Sequence, residues 1–235
     1  MDSAEPTTHP NPEFSAPDRQ ARRQELRTPL EVARLVGRSR QLARTARSPH
    51  TGGADVLVLP GLGTNDVSTL PLRLYLSRAV PNVFGWGLGT NTGDLETGVA
   101  GTLRLVRNLS AEGRRPVSLV GQSLGGIYAR EVARSHPEWV KQVITLGTPL
   151  HGPRYTITGP TFAGRIERIE RQIAERENTL IRVPLVAVYS RRDGVVDWRT
   201  CIDRRTPEVD NIEVGSTHFG MGIDPDVWTL IAGRL

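Results

Sequence analysis

From Asp55 onward, the chain alternates short apolar runs with longer amphipathic stretches. Val56-Leu57-Val58-Leu59 is a continuous apolar run that ends in Pro-Gly, which is typical of a strand buried on both faces of a parallel sheet. Residues 117–120 and 185–189 have the same character. Three shorter runs complete the predicted strands: 82–86, 143–146 and 211–214.

Helical spacing of apolar residues separates these strands. Residues 70–78, 95–111 and 124–136 are predicted to be helices. Strands and helices that alternate at this spacing predict an α/β fold, in which helices cover both faces of a mostly parallel central sheet. Right-handed crossovers then place the carboxyl ends of the strands at one edge, where such sheets bind ligands.

The amino-terminal fifth of the chain has a different pattern. Residues 1–27 mix Pro, Ser, Thr and charged residues without periodicity, which predicts a disordered tail. Thr28 as a cap, Pro29 at the first helical position and the apolar spacing after them predict a helix. We therefore expect a tail over 1–27, a basic helix and linker over 28–52, and the main domain over 53–235.

The composition narrows the class of protein. A chain of 235 residues suits one domain with a proper core, and no apolar stretch approaches the roughly 20 residues that span a bilayer. The first residues contain no apolar segment of the secretory type, so we expect a cytoplasmic protein. The single cysteine, Cys201, excludes a disulfide within the chain and is interpreted as an incidental free thiol.

The formal net charge of +5 comes almost entirely from arginine, since Lys141 is the only lysine. Many of these arginines fall between residues 19 and 47, ahead of the main domain. We expect a solvated basic face there and no specific nucleic-acid partner. A weak contact of this segment with an anionic membrane is the alternative interpretation.

The strongest chemical signal is the hexapeptide from Gly121 to Gly126, Gly-Gln-Ser-Leu-Gly-Gly, between a predicted strand and a predicted helix. A serine at such a tight turn is held in strained backbone geometry with its hydroxyl above the sheet edge. Gly121 and Gly125 lack a Cβ, so that strand and helix can approach each other closely. The sequence therefore predicts that Ser123 is a nucleophile.

In this context, the segment from Asp55 to the carboxyl terminus resembles the small bacterial lipases and esterases of the α/β-hydrolase superfamily. The resemblance rests on motifs in the same order along the chain: Leu59-Pro60-Gly61-Leu62, the serine turn, Leu146-Gly147-Thr148-Pro149-Leu150-His151-Gly152, Ser190-Arg191-Arg192-Asp193-Gly194-Val195-Val196 and Ser216-Thr217-His218. It implies an α/β-hydrolase fold with a minimal cap, hydrolysis of an acyl ester or lipid, and no metal or organic cofactor.

A serine nucleophile needs a base, and the base needs an orienting carboxylate. In this superfamily the order along the chain is Ser, acid, His. His218 lies in a loop after the last predicted strand and is the predicted base. Asp193, in the loop after residues 185–189, is the predicted acid, and Asp197 is the alternative.

The oxyanion hole is predicted to consist of two backbone N–H groups. One belongs to Leu124, the residue after the nucleophile, and the resemblance implies that the other belongs to Leu62. Many relatives have His-Gly where this chain has Pro60-Gly61. The departure leaves the donor in place, because the N–H belongs to the next residue.

Substrate specificity is less well defined by the sequence. Phe162, Ile166, Ile169 and Ile173 recur at helical spacing and predict an amphipathic helix with a narrow apolar stripe. This helix either packs on the sheet or forms a small lid over an acyl pocket. Ester hydrolysis is the leading hypothesis. An acyltransferase that uses the same acyl-enzyme and a non-catalytic binding protein with this fold are the alternatives.

Overall fold

The computed structural model describes residues 13–45, 54–158 and 166–235. In this part of the chain, parallel strands form one sheet in the order β2-β1-β3-β4-β5-β6. The strands are β1 Val56–Leu59, β2 Val83–Phe84, β3 Val117–Gln122, β4 Val140–Leu146, β5 Leu185–Tyr189 and β6 Val209–Glu213. The predicted parallel sheet is confirmed, with each strand at its predicted place to within a few residues.

Helices connect and cover these strands. They are α1 Arg19–Arg22, α2 Thr28–Thr45, α3 Asp66–Leu76, α4 Leu95–Gly113, α5 Leu124–Ser135, α6 Ile166–Glu177 and α7 Pro225–Ala232. The apolar pattern alone did not predict α7. The sequence feature that marks its start is Asp224-Pro225. The Asp224 side chain caps the helix by accepting a hydrogen bond from the Asp226 N–H, and Pro225 occupies the first helical turn.

Alternate residues of the central strands point to opposite faces of the sheet, and both faces are covered. Leu57 and Leu59 belong to the apolar cluster formed with α4, α5 and α6. Val56 and Val58 belong to the cluster formed with α2, α3 and α7. Burial on both faces explains why β1 is apolar at every position.

The strand order places a switch point between β1 and β3. From β1 the chain crosses to β2 on one side and then to β3 on the other. The loops after β1 and β3 therefore diverge from neighbouring strands and leave a crevice at their carboxyl ends, where ligands bind in open α/β sheets. Leu62 lies in the loop after β1, and Ser123 directly follows β3.

The amino-terminal segment departs from the predicted disordered tail. Residues 13–27, the described part of that tail, form α1 and a 3-10 helix over Arg23–Arg27. Phe14 stacks on His151 with ring centroids 5.0 Å apart. These contacts join residues far apart in sequence, so that no local pattern reveals them. Residues 1–12 and 46–53, the latter including the predicted linker after α2, lie outside the described residues, and the domain limits stay a prediction.

The basic helix predicted from Thr28 is present as α2, and it packs against α7. The Leu42 side chain, 4% exposed, belongs to the apolar cluster on this face of the sheet. The first half of the helix carries Glu31 into the loops at the sheet edge, as described below. None of the described helices is both long and apolar enough to cross a membrane.

Candidate active site

Ser123 occupies the turn between β3 and α5 in an unusual backbone conformation. Its φ of 50° and ψ of −121° lie in a region that residues with a side chain rarely adopt. The Ser123 N–H donates to the Leu146 carbonyl at 2.8 Å, and the Thr148 hydroxyl donates to the Ser123 carbonyl at 2.9 Å. Both bonds tie the strained turn to the end of β4, so that the surrounding structure maintains it.

The glycines around Ser123 permit three elements to meet. A Cβ on Gly121 would lie 2.5 Å from the Cα of Gly126. A Cβ on Gly125 would lie 2.6 Å from the carbonyl oxygen of Leu59, at the end of β1. Any side chain at either position would therefore force β1, β3 and α5 apart, as expected for the tight turn.

His218 and Asp193 form a buried pair on two loops of the same edge. Nδ1 of His218 lies 2.6 Å from Oδ2 of Asp193, and the residues are 3% and 4% exposed. Oδ1 of Asp193 accepts from the backbone N–H groups of Val195 at 2.9 Å and Val196 at 2.7 Å. Because a carboxylate only accepts hydrogen bonds, this arrangement holds a proton on Nδ1 and leaves Nε2 of His218 as the basic atom.

Asp197, the alternative acid, has other partners. Its Oδ1 accepts from the Arg199 N–H at 3.0 Å, which caps the following 3-10 helix. Its Oδ2 accepts from the Ser15 N–H at 3.0 Å. The structure therefore brings Asp193, and not Asp197, to the imidazole of His218.

The electrostatics of the pair favour a protonatable imidazole. Burial by itself lowers the pKa of His218, since it disfavours the charged ring. The charge of Asp193, the hydrogen bond to it and the charge of Glu25 act in the opposite direction and together raise the pKa above the ordinary histidine value. An imidazole of this kind accepts a proton readily when a neighbouring group releases one.

A cavity of about 310 Å³ opens at the crevice predicted by the strand order. Ser123 and His218 both line it, as do Leu62 and Leu124. Neither the Leu62 N–H nor the Leu124 N–H donates a hydrogen bond to any residue that the structure describes. A Cβ on Gly61 would lie 3.4 Å from the Cβ of Ser123, so the loop after β1 runs directly beside the serine.

A buried asparagine, Asn91, holds the loop after β1 in place. It is 1% exposed, its side-chain amide donates to the Pro60 carbonyl at 2.9 Å, and its backbone carbonyl accepts from the Gly63 N–H at 2.8 Å. The Tyr128 hydroxyl donates to Oδ1 of Asn91 at 2.9 Å. Burial, and then the charge of Asp94, raises the pKa of Tyr128, so that it stays a donor. Sequence reasoning missed Asn91, because no motif marks it.

Two residues of motifs noted in the sequence, Gln122 and Gly147, contact the histidine loop in roles that the sequence did not indicate. The Gln122 amide donates to the His218 carbonyl at 3.2 Å and so links the serine turn to this loop. Gly147 has a φ of 56°, and a Cβ there would lie 3.0 Å from Nδ1 of His218 and 3.1 Å from Oδ2 of Asp193. The positive φ and the close contact with the pair explain why a glycine occupies position 147.

Two carboxylates of the amino-terminal segment also reach this loop. Glu25 accepts from the His218 N–H at 2.9 Å, and Glu31 accepts from the Thr217 N–H at 2.7 Å. No sequence signal pointed to them, because residues 1–27 were interpreted as a tail and the helix after them as a solvated face.

The segment between β4 and β5 forms one wall of the cavity. Ile173 of α6 lines the cavity and also belongs to the apolar cluster beneath it. Arg154 and Glu170 form an ion pair at 3.0 Å that fixes α6 to the preceding loop. Ile173 is thus buried in the apolar cluster on this face of the sheet and also shapes the pocket, and the choice between a packed helix and a lid stays a prediction. Phe162 lies outside the described residues.

Two other chemistries find little support among the described residues. Cys201 is buried, and burial, together with the charges of Asp193 and Asp197, raises the pKa of its thiol. A thiolate nucleophile is therefore disfavoured there. No group of three His, Cys, Asp or Glu side chains in the described part of the chain is arranged to hold a metal ion.

Comparison with known proteins identifies solved structures that have the same fold. No protein-family model and no curated protein sequence matches this sequence. Solved structures do match. Lipase BlEst2 of Bacillus licheniformis in its mature form superposes with a TM-score of 0.60 at 15% identity, over 79% of this chain and 93% of that one. A metagenome-derived lipolytic enzyme, LipS or LipT, gives 0.63 at 19% identity over 77% and 91%.

Lipase B of Aspergillus fumigatus superposes with a TM-score of 0.58 at 17% identity over 78% of this chain. The match spans about half of that larger enzyme, 52% of its length. These lipases are α/β-hydrolases, and the chain described here has the α/β-hydrolase fold. The resemblance inferred from the motifs is thereby confirmed for the fold.

Proposed function

We propose that the protein is a serine hydrolase that cleaves carboxylic esters through an acyl-enzyme on Ser123. One observation carries the proposal: the strained serine turn and the buried His218–Asp193 pair face the same cavity. Strain of this kind at a pocket is characteristic of functional sites. The lipases with the same fold support the choice of an ester substrate.

In the proposed reaction, the Ser123 hydroxyl attacks the ester carbonyl while Nε2 of His218 takes its proton. Asp193 holds the ring orientation and stabilises the imidazolium. The N–H groups of Leu62 and Leu124 donate to the oxyanion, and each such donor contributes roughly 3 kcal/mol to the transition state. His218 then gives its proton to the leaving alcohol, and water releases the acyl group in the reverse sequence.

The cavity supports an acyl group as the part of the substrate that is buried. Most of its wall is apolar, including Ile127, Ile157, Ile173 and Val195. An aliphatic chain gains about 0.8 kcal/mol for each methylene that it buries in such surroundings. We therefore propose that the acyl chain occupies this cavity and that the alcohol faces the solvent.

The test is the turnover of p-nitrophenyl acetate and butyrate by the wild type and by Ser123→Ala. Loss of the nucleophile is expected to lower kcat on the order of a million-fold, as in a serine protease. Ser135→Ala is the matched control, because that hydroxyl bonds to the Glu131 carbonyl at the far end of α5. Equal rates for the wild type and Ser123→Ala would end the proposal.

Two further measurements separate the alternatives. Labelling by a fluorophosphonate probe that requires Ser123 would exclude a purely binding role. Acyl transfer shares the acyl-enzyme, so that it differs only in the acceptor. Product analysis with competing alcohols therefore distinguishes it, and release of free acid alone supports hydrolysis. A panel of esters from acetate to palmitate would then define the acyl chain that the cavity prefers.

A further inference from the structure

The amino-terminal segment runs along both loops that carry the His218–Asp193 pair. The Asp18 side chain caps α1 by accepting from the Ala21 N–H at 2.8 Å, and the 3-10 helix that follows carries Glu25. A Cβ on Gly194 would lie 2.6 Å from the Ala21 carbonyl oxygen and 3.0 Å from Cγ of Glu25. The loop of Asp193 therefore comes into direct contact with the helix backbone, and its glycine permits this approach.

One carboxylate joins the two loops. Oε1 of Glu25 accepts from the Gly194 N–H at 2.8 Å and from the His218 N–H at 2.9 Å. Its Oε2 accepts from the Phe219 N–H at 3.3 Å. One of these donors follows Asp193 directly and another belongs to His218 itself. Glu25 thus links the backbone beside Asp193 to the backbone of His218.

We propose that Glu25 is a positioning residue that sets the separation and the electrostatic balance of the Asp193–His218 pair. The proposal rests on the proposed function, in which this pair activates Ser123. Glu25 lies outside the cavity wall, so it acts through the pair and not through the substrate. Charge-assisted hydrogen bonds of this kind are stronger than neutral ones and restrict geometry accordingly.

The contribution of Glu25 to the pKa of His218 can be separated from that of Asp193, because the two carboxylates lie on different segments. Asp193 faces the ring from the loop after β5, and Glu25 faces it from the amino-terminal segment. The charge of Glu25 contributes to the raised pKa of His218. Asp197 and Cys201 are further titratable groups near Asp193, because the charges of both carboxylates, after burial, raise the pKa of the Cys201 thiol. Removal of the Glu25 charge therefore lowers the pKa of His218 while Asp193 stays in place.

Glu31 offers a matched control in the same loop. Its carboxylate accepts from the Thr217 N–H at 2.7 Å and from the Thr217 hydroxyl at 2.7 Å, one residue before His218. Its carboxylate does not bond to the loop of Asp193, and the charges that raise the pKa of His218 are those of Asp193 and Glu25. A substitution at Glu31 therefore perturbs the same loop and leaves the bridge intact.

The experiment compares Glu25→Ala, Glu25→Gln and Glu31→Gln in the full chain. Glu25→Ala removes the bridge and is expected to lower kcat about tenfold to a hundredfold, with little change in KM, because misplaced groups cost rate and not binding. Glu25→Gln keeps an acceptor oxygen for Gly194 and His218 but loses the charge. It is expected to restore most of kcat and to move the acid limb of kcat/KM to lower pH. Glu31→Gln is expected to leave that limb in place.

A second readout does not depend on turnover. The ring resonances of His218, assigned by their loss in His218→Gln, report its titration by NMR. A lower pKa in Glu25→Gln than in the wild type and Glu31→Gln is the expected result. Equal titrations in all three proteins, or a wild-type kcat in Glu25→Ala, would overturn the proposal. Glu25→Gln is nearly isosteric and keeps the test open if Glu25→Ala does not fold. An inactive wild type would defeat the proposed function alone, since the titration still tests Glu25.

Discussion

The two halves of the candidate site are built in different ways. Ser123 is held by neighbouring regular structure, since β3 precedes it, α5 follows it and β4 accepts its N–H. His218 and Asp193 lie on loops, and carboxylates more than 150 residues away in sequence hold those loops. The contacts that hold the serine half therefore come mainly from adjoining strands and helices, whereas those that hold the loop half come from residues distant in sequence.

Because of this difference, substitutions in the two halves are expected to have different consequences. A substitution in the serine turn meets backbone, as the 2.5 Å approach to Gly126 at Gly121 shows, and is expected to damage the fold itself. The loop half is held by hydrogen bonds from side chains, which can be removed one at a time. The following predictions begin with that half and run from the largest expected effect to the smallest.

The largest effect is expected from Asp193→Asn. The amide can donate to Nδ1 of His218 and so favours the wrong tautomer, and the same change in a serine protease lowers kcat about 10⁴-fold. The measurement is kcat for p-nitrophenyl butyrate. Asp197→Asn is the matched control, because Asp197 caps a 3-10 helix and does not contact the ring. Comparable losses in both variants would contradict the assignment of the acid.

A smaller loss is expected from Gly147→Ala. The new Cβ would lie 3.0 Å from Nδ1 of His218 at a positive φ, so the pair must shift. We expect kcat to fall about a hundredfold with an unchanged KM, the cost of a displacement near 1 Å.

Gly89→Ala provides the control for Gly147→Ala. Gly89 also has a positive φ, 80°, but a Cβ there meets no atom within 4 Å. Both variants should lose about 1–2 kcal/mol of stability from backbone strain. Only Gly147→Ala should lose rate. Equal rates in the two variants would show that the pair tolerates the contact.

The same contrast explains how much could be predicted from the sequence. Ser123 and the fold were predictable, because the strand, the turn glycines and the helix are contiguous and each has a local physical cause. His218 and Asp193 were found from their order along the chain, as the superfamily resemblance implies. Glu25 was not found, because its partners are the backbone N–H groups of Gly194 and His218. Every residue except proline has such a group, so the sequence does not indicate which of them bind a distant carboxylate.

The pH dependence of activity should reflect the balance of charges at the pair. The proposed ester cleavage requires neutral His218, and the raised pKa of His218 is therefore expected to place the acid limb of kcat/KM above the ordinary value of about 6.5. Below that limb the rate should fall about tenfold per pH unit. A profile from pH 4 to 10 measures it. A limb below 6.5 would mean that burial outweighs Asp193 and Glu25.

Stability should depend on pH in the opposite direction. A group whose pKa is higher in the folded state stabilises the fold fully below the unfolded pKa, and this contribution is lost as the pH rises through the folded pKa. Thermal unfolding of the wild type and Asp193→Asn on both sides of that range measures the difference. The destabilisation caused by Asp193→Asn is therefore expected to be larger at acidic pH, as far as it comes from His218.

The smallest effect is expected from Arg34→Ala, at the surface that joins α2 to α7. Arg34 pairs with Asp224 at 3.2 Å and with Asp226 at 2.8 Å, but its side chain is 49% exposed. Pairs with such an exposed partner contribute about 0–1 kcal/mol, and salt screens them. Urea unfolding at low and high salt measures the loss, with Arg234→Ala as a control whose partner, Asp210, is itself 50% exposed. If Arg34→Ala instead lowered stability by several kcal/mol, or lowered kcat as Glu25→Ala should, the helix that carries Glu31 would be held by surface charge and not by buried contacts such as Leu42.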